Sequence, residues 1–98
     1  MEANKEIRRA VDTGKISFGY KECKKNILAG NGKLIIICNN IQKFEKENLE
    51  YLAQVEGKKI YAFEDNGLVL GSVCGKPFVV STMLVIDEGK SKVLDLVK

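Results

Sequence analysis

Leu34-Ile35-Ile36-Ile37-Cys38 is the feature that most narrows what this chain can fold into. A strand with one wet face alternates apolar and polar residues. Five apolar residues in a row have no wet face, so both sides must be covered. Gly30-Asn31-Gly32 before the run and Asn39-Asn40 after it keep it short. Such a segment reads as the middle strand of a sheet flanked by helices, and it is far too short to span a bilayer.

The surrounding pattern supplies those helices. Ile7, Ala10 and Val11 recur at helical spacing between Ala3 and Asp12, and Thr13-Gly14 breaks the helix. Lys15 to Phe18 reads as a strand. Tyr20 to Ala29 reads as a helix with Tyr20, Cys23 and Ile27 buried. Lys43 to Glu56 is a helix buried through Leu49, Leu52, Ala53 and Val55, with Gly57 just past its end. Ile60 to Phe63 is a strand, Asp65-Asn66-Gly67 a turn, and Leu68 to Cys74 a short helix stopped by Gly75. Phe78 to Ile86 and Lys92 to Val97 read as two closing strands, antiparallel because only Asp87-Glu88-Gly89 and a few neighbours join them. The order α-β-α-β-α-β-α-β-β needs crossover connections. The expected fold is therefore α/β: a single domain over residues 1–98, built as a three-layer α/β/α sandwich with a central mixed sheet.

Composition narrows the chemistry. Among 98 residues there is no His, so no side chain titrates near neutrality and no imidazole can bind metal or serve a Ser or Cys nucleophile. Cys23, Cys38 and Cys74 are odd in number and widely spaced, which suggests neither a zinc site nor a redox pair. They read as small core hydrophobes in a reducing compartment. The adjacent acids Glu64-Asp65 and Asp87-Glu88 fall in turns, and Ser81 and Thr82 fall within an apolar strand. Gly71-Ser72-Val73-Cys74-Gly75-Lys76 resembles a phosphate loop but has one residue too few between its glycines, and Pro77 follows the lysine. The first ten residues are charged and lack the apolar stretch of a signal peptide. These readings point to a soluble intracellular protein that is no enzyme and needs no cofactor or metal.

The net charge of +3 is uneven. Residues 15–33 hold Lys15, Lys21, Lys24, Lys25 and Lys33 against Glu22 alone, whereas the rest of the chain is nearly balanced. Within that segment Gly19 opens a helix, and Lys21 and Lys24 stand beside its start. Free backbone N–H groups at a helix start favour an anion, and glycine allows close approach. Two readings stay open: a phosphate or nucleic-acid footprint, or a solvated lysine-rich face.

Three segments then fall into a familiar register. Gly19-Tyr20-Lys21 lies at a strand-to-helix junction. Lys33 to Asn40 is a buried strand running into an Asn turn, followed by Leu49-Glu50-Tyr51 in the next helix. Leu70 to Ser81, reading LGSVCGKPFVVS, leads into the end of the chain. In this order they resemble the archaeal and eukaryotic large-subunit ribosomal protein L-thirty-e family, over about Ile7 to Leu96. The resemblance implies RNA binding at one end of the sheet. Relatives of the L-seven-Ae type recognise kink-turns, which are sharply bent RNA helices with an extruded nucleotide.

Carried onto this sequence, the family surface comprises Gly19, Tyr20 and Lys21 at the helix start, Asn40 after the central strand, and Phe78 and Val80 before the last strands. Gly19 and Lys21 would approach a phosphate. Asn40 would read a base edge, or is a turn former. Phe78 and Val80 would pack on an unstacked base, or are strand core. One departure stands out: where some relatives carry an arginine early in the third helix, this chain has Phe44-Glu45-Lys46. The residues that could compensate are Lys43 and Lys46. The implied function is a ribosomal-RNA-binding protein of the large subunit, cytoplasmic on the ribosome, monomeric when free and beside other ribosomal proteins. A stand-alone kink-turn binder of another ribonucleoprotein and a small nucleotide-binding α/β enzyme domain are the alternatives.

Overall fold

The computed structural model describes residues 2–97; Met1 and Lys98, the ends of the expected 1–98 domain, lie outside them. The elements are α1 (Ala3–Thr13), β1 (Lys15–Phe18), α2 (Tyr20–Leu28), β2 (Leu34–Ile37), α3 (Lys43–Glu56), β3 (Lys59–Ala62), α4 (Gly67–Val73), β4 (Thr82–Asp87) and a closing 3-10 turn, Val93–Val97. One mixed sheet runs β1-β4-β2-β3. β2 pairs parallel with β3, and β4 runs antiparallel to both β1 and β2.

β2 is buried along its whole length, as its sequence requires. Its side chains divide between two cores. Leu34 and Ile36 pack with Ile7 and Ala10 of α1, Leu70 of α4, Val80, Met83, Val85 and Val93. Ile35 and Ile37 pack on the other face with Cys23 and Ile27 of α2 and Leu49, Leu52 and Ala53 of α3, whereas Val55, expected on that buried side, is exposed. The result is the three-layer α/β/α sandwich: α1, α4 and the 3-10 turn on one side, α2 and α3 on the other. Burying each of these aliphatic side chains stabilises the fold by roughly 1.5–3 kcal/mol. The three cysteines are free and buried in these cores. Burial pushes the Cys23 thiol up to about 12 and that of Cys74 to about 11, as expected of packing residues. Among the described residues, no helix is long and apolar enough to cross a membrane.

The C-terminal third departs from the sequence reading twice. Lys92 to Val97 is no strand. β4 lies between β1 and β2, so both of its ladder edges are filled and a hairpin partner has nowhere to pair. The segment instead winds as a 3-10 turn, with Val93 buried and the Lys92 N–H donating to the carboxylate of Glu6, 2.8 Å. Nor does β4 begin at Phe78. The Lys76 and Val80 N–H groups donate to the carbonyls of Gly71 and Gly67 on α4, at 2.9 and 3.0 Å, so residues 76–80 lie along a helix rather than in the sheet. Only glycine at position 71 lets them do so: a Cβ there would run into the Phe78 carbonyl.

Candidate nucleic-acid interface

β1, β2 and β3 point the same way and β4 points against them. The last residues of β1, β2 and β3 therefore share one end of the sheet with the first of β4: Ile37 lies opposite both Ala62 and Thr82, and Phe18 opposite Met83. This topology gathers Gly19-Tyr20-Lys21, Asn39-Asn40 and the segment before Thr82, which are far apart in sequence. α2, α3 and α4 each follow one of these strands, so all three helices start here, with their electropositive ends together. No side chain caps α2 at Gly19 or α3 at Gln42.

Gly19 has φ +89°, a conformation that L side chains rarely adopt, while the space around its α-carbon is open. Its N–H donates to the Thr82 carbonyl at 2.9 Å and its carbonyl accepts from Cys23. The glycine thus turns the chain from the sheet into α2 without covering the helix start. Tyr20 is half-buried. Its hydroxyl donates to Asn48 Oδ1 on α3 at 2.6 Å, its ring meets Phe44 at 6.4 Å, and Lys24 Nζ sits 5.9 Å from the ring centroid. Tyr20 therefore ties α2 to α3, and Lys21 stands exposed beside it.

Asn40 has one side-chain orientation that satisfies its surroundings. Its Oδ1 accepts from the Gly67 N–H at 3.1 Å and from the Cys38 thiol at 3.0 Å. The backbone donor at Gly67 fixes which amide atom is oxygen. Nδ2 is left with no partner among the described residues, on an exposed side chain. Asn40 thus joins the end of β2 to the start of α4 and keeps both amide donors without a protein partner among the described residues. Asn39 adds a second tie, its N–H donating to the Asp65 carbonyl and Nδ2 to that of Glu64, at 2.9 and 3.2 Å.

Phe78 and Val80 are not a pair. Phe78 is 50% exposed, but Val80 is 2% exposed and belongs to the core under α4. Val80 therefore cannot present its side chain to a ligand in this fold. The resemblance implied that both side chains face an unstacked base; the segment is held to Gly67 and Gly71 in a way that buries Val80, and the exposed neighbour of Phe78 is Val79, at 61%. Leu68, also exposed, starts α4 beside them.

Charge is redistributed too. The lysine-rich segment 15–33 does not form one patch. Lys21 and Lys24 lie at this end, but Lys15 pairs in register with Asp87, and Lys33 Nζ bonds Glu88 Oε1 at 2.8 Å, at the opposite end of the sheet. What the segment loses here is partly made up by Lys76, whose Nζ lies 5.0 Å from the centroid of the Phe18 ring. Lys43 and Lys46 are exposed in the first turn of α3, Lys43 within 3.9 Å of Glu47. Lys76, Val79 and Leu68 are the residues that sequence reasoning missed. Lys76 and Val79 lie within the LGSVCGKPFVVS segment that carries the resemblance, but only Phe78 and Val80 of that segment were expected at the surface, and nothing in the sequence marked Leu68.

This end therefore combines uncapped helix starts, lysines, amide donors and exposed apolar side chains. A phosphate backbone and unstacked bases ask for that combination. The description "Ribosomal protein L7Ae/L30e/S12e/Gadd45 family" matches residues 1–95. "Large ribosomal subunit protein eL30" of Methanocaldococcus jannaschii is 44% identical over 98 residues, 100% of this chain and 89% of its own length. The proteins of that name from Methanothermobacter thermautotrophicus and Pyrobaculum islandicum are 40% and 36% identical, covering 99% and 100% of this chain and 99% and 97% of their own. The chain belongs to the ribosomal protein L7Ae/L30e/S12e/Gadd45 family, on its L30e branch.

Proposed function

We propose that the protein is a structural, non-enzymatic RNA-binding component of the large ribosomal subunit in the cytoplasm. It is one RNA-binding domain, monomeric when free, and needs no cofactor. Its Gly19–Asn40–Phe78 end grips a kink-turn or similarly bent internal loop of ribosomal RNA, with neighbouring ribosomal proteins around it. The observation that carries this reading is the full-length likeness to proteins named large ribosomal subunit protein eL30.

The geometry of the sheet end supports a division of labour. Lys21, Lys24 and Lys76 neutralise phosphates, and the open start of α2 behind Gly19 receives one of them. Tyr20 holds α2 and α3 together beneath that contact. Asn40 Nδ2 donates to a base edge exposed by the bend. Phe78, with Val79, stacks on an extruded base or ribose. Val80 serves from below, by seating the Phe78-Val79 segment on α4.

Two measurements test the reading. Gel shifts should show at least tenfold tighter binding to a kink-turn RNA than to a straight duplex of equal length; equal affinity would refute shape recognition. The protein should co-sediment with large subunits in high salt. Binding to the kink-turn without co-sedimentation would move the protein to another ribonucleoprotein.

A further inference from the structure

Among the described residues, the seven exposed large hydrophobic ones fall in three places. Leu68, Phe78 and Val79 belong to the RNA surface, and Leu28 ends α2. Phe44, Tyr51 and Val55 all lie on α3, each 58% or more exposed. Their spacing, with Asn48 between, is four, three and four residues, so they form one continuous stripe. The stripe is distinct from the buried side of α3, which faces the sheet through Leu49, Leu52 and Ala53. Isolated exposed apolar residues need no explanation, but an aromatic-bearing stripe along three turns of a helix marks an interaction surface.

Charge identifies the occupant. Among the described residues α3 is the one α-helix with net negative charge, carrying Glu45, Glu47, Glu50 and Glu56 against Lys43 and Lys46. Helices α1 and α2 are net positive. Glu47 and Glu50 form the row beside the stripe at helical spacing, with Lys43 ahead of them, 3.9 Å from Glu47. These carboxylates repel a phosphate backbone and attract a cationic chain. We propose that the Phe44–Tyr51–Val55 face of α3 docks a basic protein segment carrying aliphatic anchors. Lysine or arginine side chains of the partner reach Glu47 and Glu50, and its aliphatic side chains cover Tyr51 and Val55. The stripe begins at Phe44, whose ring meets Tyr20 at 6.4 Å. The docked segment therefore starts at the edge of the RNA surface and runs away from it. This surface is separate from the RNA reading and does not depend on it.

The test uses the full chain, ¹⁵N-labelled, titrated at 150 mM salt with a synthetic helical peptide of lysine and leucine, and with a counterpart carrying glutamate for lysine. The basic peptide should shift the amides of Phe44 through Val55. Tyr51→Ser with Val55→Ser, both exposed and so without effect on folding, should weaken it at least tenfold. Glu47→Lys with Glu50→Lys should do the same, and neither pair should change affinity for the kink-turn RNA. Three results would overturn the proposal: no binding, equal binding of the acidic peptide, or shifts confined to Phe78 and Val79. Concentration-dependent shifts of the stripe without peptide would overturn it in favour of a second copy of the chain. A protein that binds the peptide but no kink-turn would refute the RNA reading alone.

Discussion

Asn40 separates structure from recognition in a pair of substitutions. Its Oδ1 holds the Gly67 N–H at 3.1 Å, and its Nδ2, on an exposed side chain, has no partner among the described residues. Asn40→Ala removes the acceptor and leaves the part-buried Gly67 donor unpaired, a loss of about 1–3 kcal/mol, with the lower figure applying if water enters. For a domain this size each kcal/mol lowers Tm by about 4–8 °C. Asn40→Asp keeps an acceptor in the same place and puts a negative charge at the start of α4, which is worth up to about 1 kcal/mol in favour of folding. It also removes both amide donors and turns a carboxylate toward the RNA. Thermal melts should therefore show Asn40→Ala several degrees below wild type and Asn40→Asp close to it. Gel shifts on kink-turn RNA should show Asn40→Asp weakened by at least tenfold, a loss of about 1.4 kcal/mol or more. An Asp variant that melts as low as the Ala variant, or one that binds RNA like wild type, would refute the assignment of the two amide atoms to two tasks.

Further outcomes follow from the same geometry. Phe78→Ala should leave Tm nearly unchanged while lowering RNA affinity by about one to two orders of magnitude, the range of one stacking contact. Val80→Ala should do the reverse, costing roughly 2 kcal/mol of stability with the folded fraction binding normally; the opposite pattern in melts and gel shifts would put Val80 on the surface. Lys21→Ala should reduce the slope of log affinity against log salt by about one, and an unchanged slope would remove its phosphate contact. The Lys33 ammonium holds the Glu88 carboxyl below its ordinary value. Because the folded value is depressed, the stabilisation is complete above the unfolded value of about 4.3 and is lost as pH falls through the folded one. The stability difference between wild type and Glu88→Gln should thus be steady at neutral pH and vanish in that acid window. A difference that persists to the lowest pH would contradict the pairing.

The sequence was most legible where local chemistry decides structure. The Leu34–Cys38 run could only be covered on both faces, and the Gly19 and Gly57 breaks bounded their helices because both take positive φ. It was least legible where distant contacts decide. That residues 92–97 would not pair depended on β1 already filling the edge of β4, which no local pattern announces. The burial of Val80 depended on Gly67 and Gly71 receiving the backbone of residues 76–80, a contact between two segments that each look like ordinary loop and helix. The site suffered in the same way. Gly19, Tyr20, Lys21 and Asn40 came together because strand ends are readable. The lysine-rich stretch, continuous in sequence, was split between the two ends of the sheet because a strand and a helix intervene between Lys15 and Lys33.

That split gives the most direct measurement. Amide shifts recorded on the free protein and on its complex with a kink-turn RNA would map the contact. The RNA should perturb residues 19–24, 39–40 and 75–80 at one end of the sheet and leave Lys15, Lys33 and Glu88 at the other unchanged. Perturbation centred on the Lys15–Lys33 end, with Gly19, Asn40 and Phe78 silent, would contradict the account.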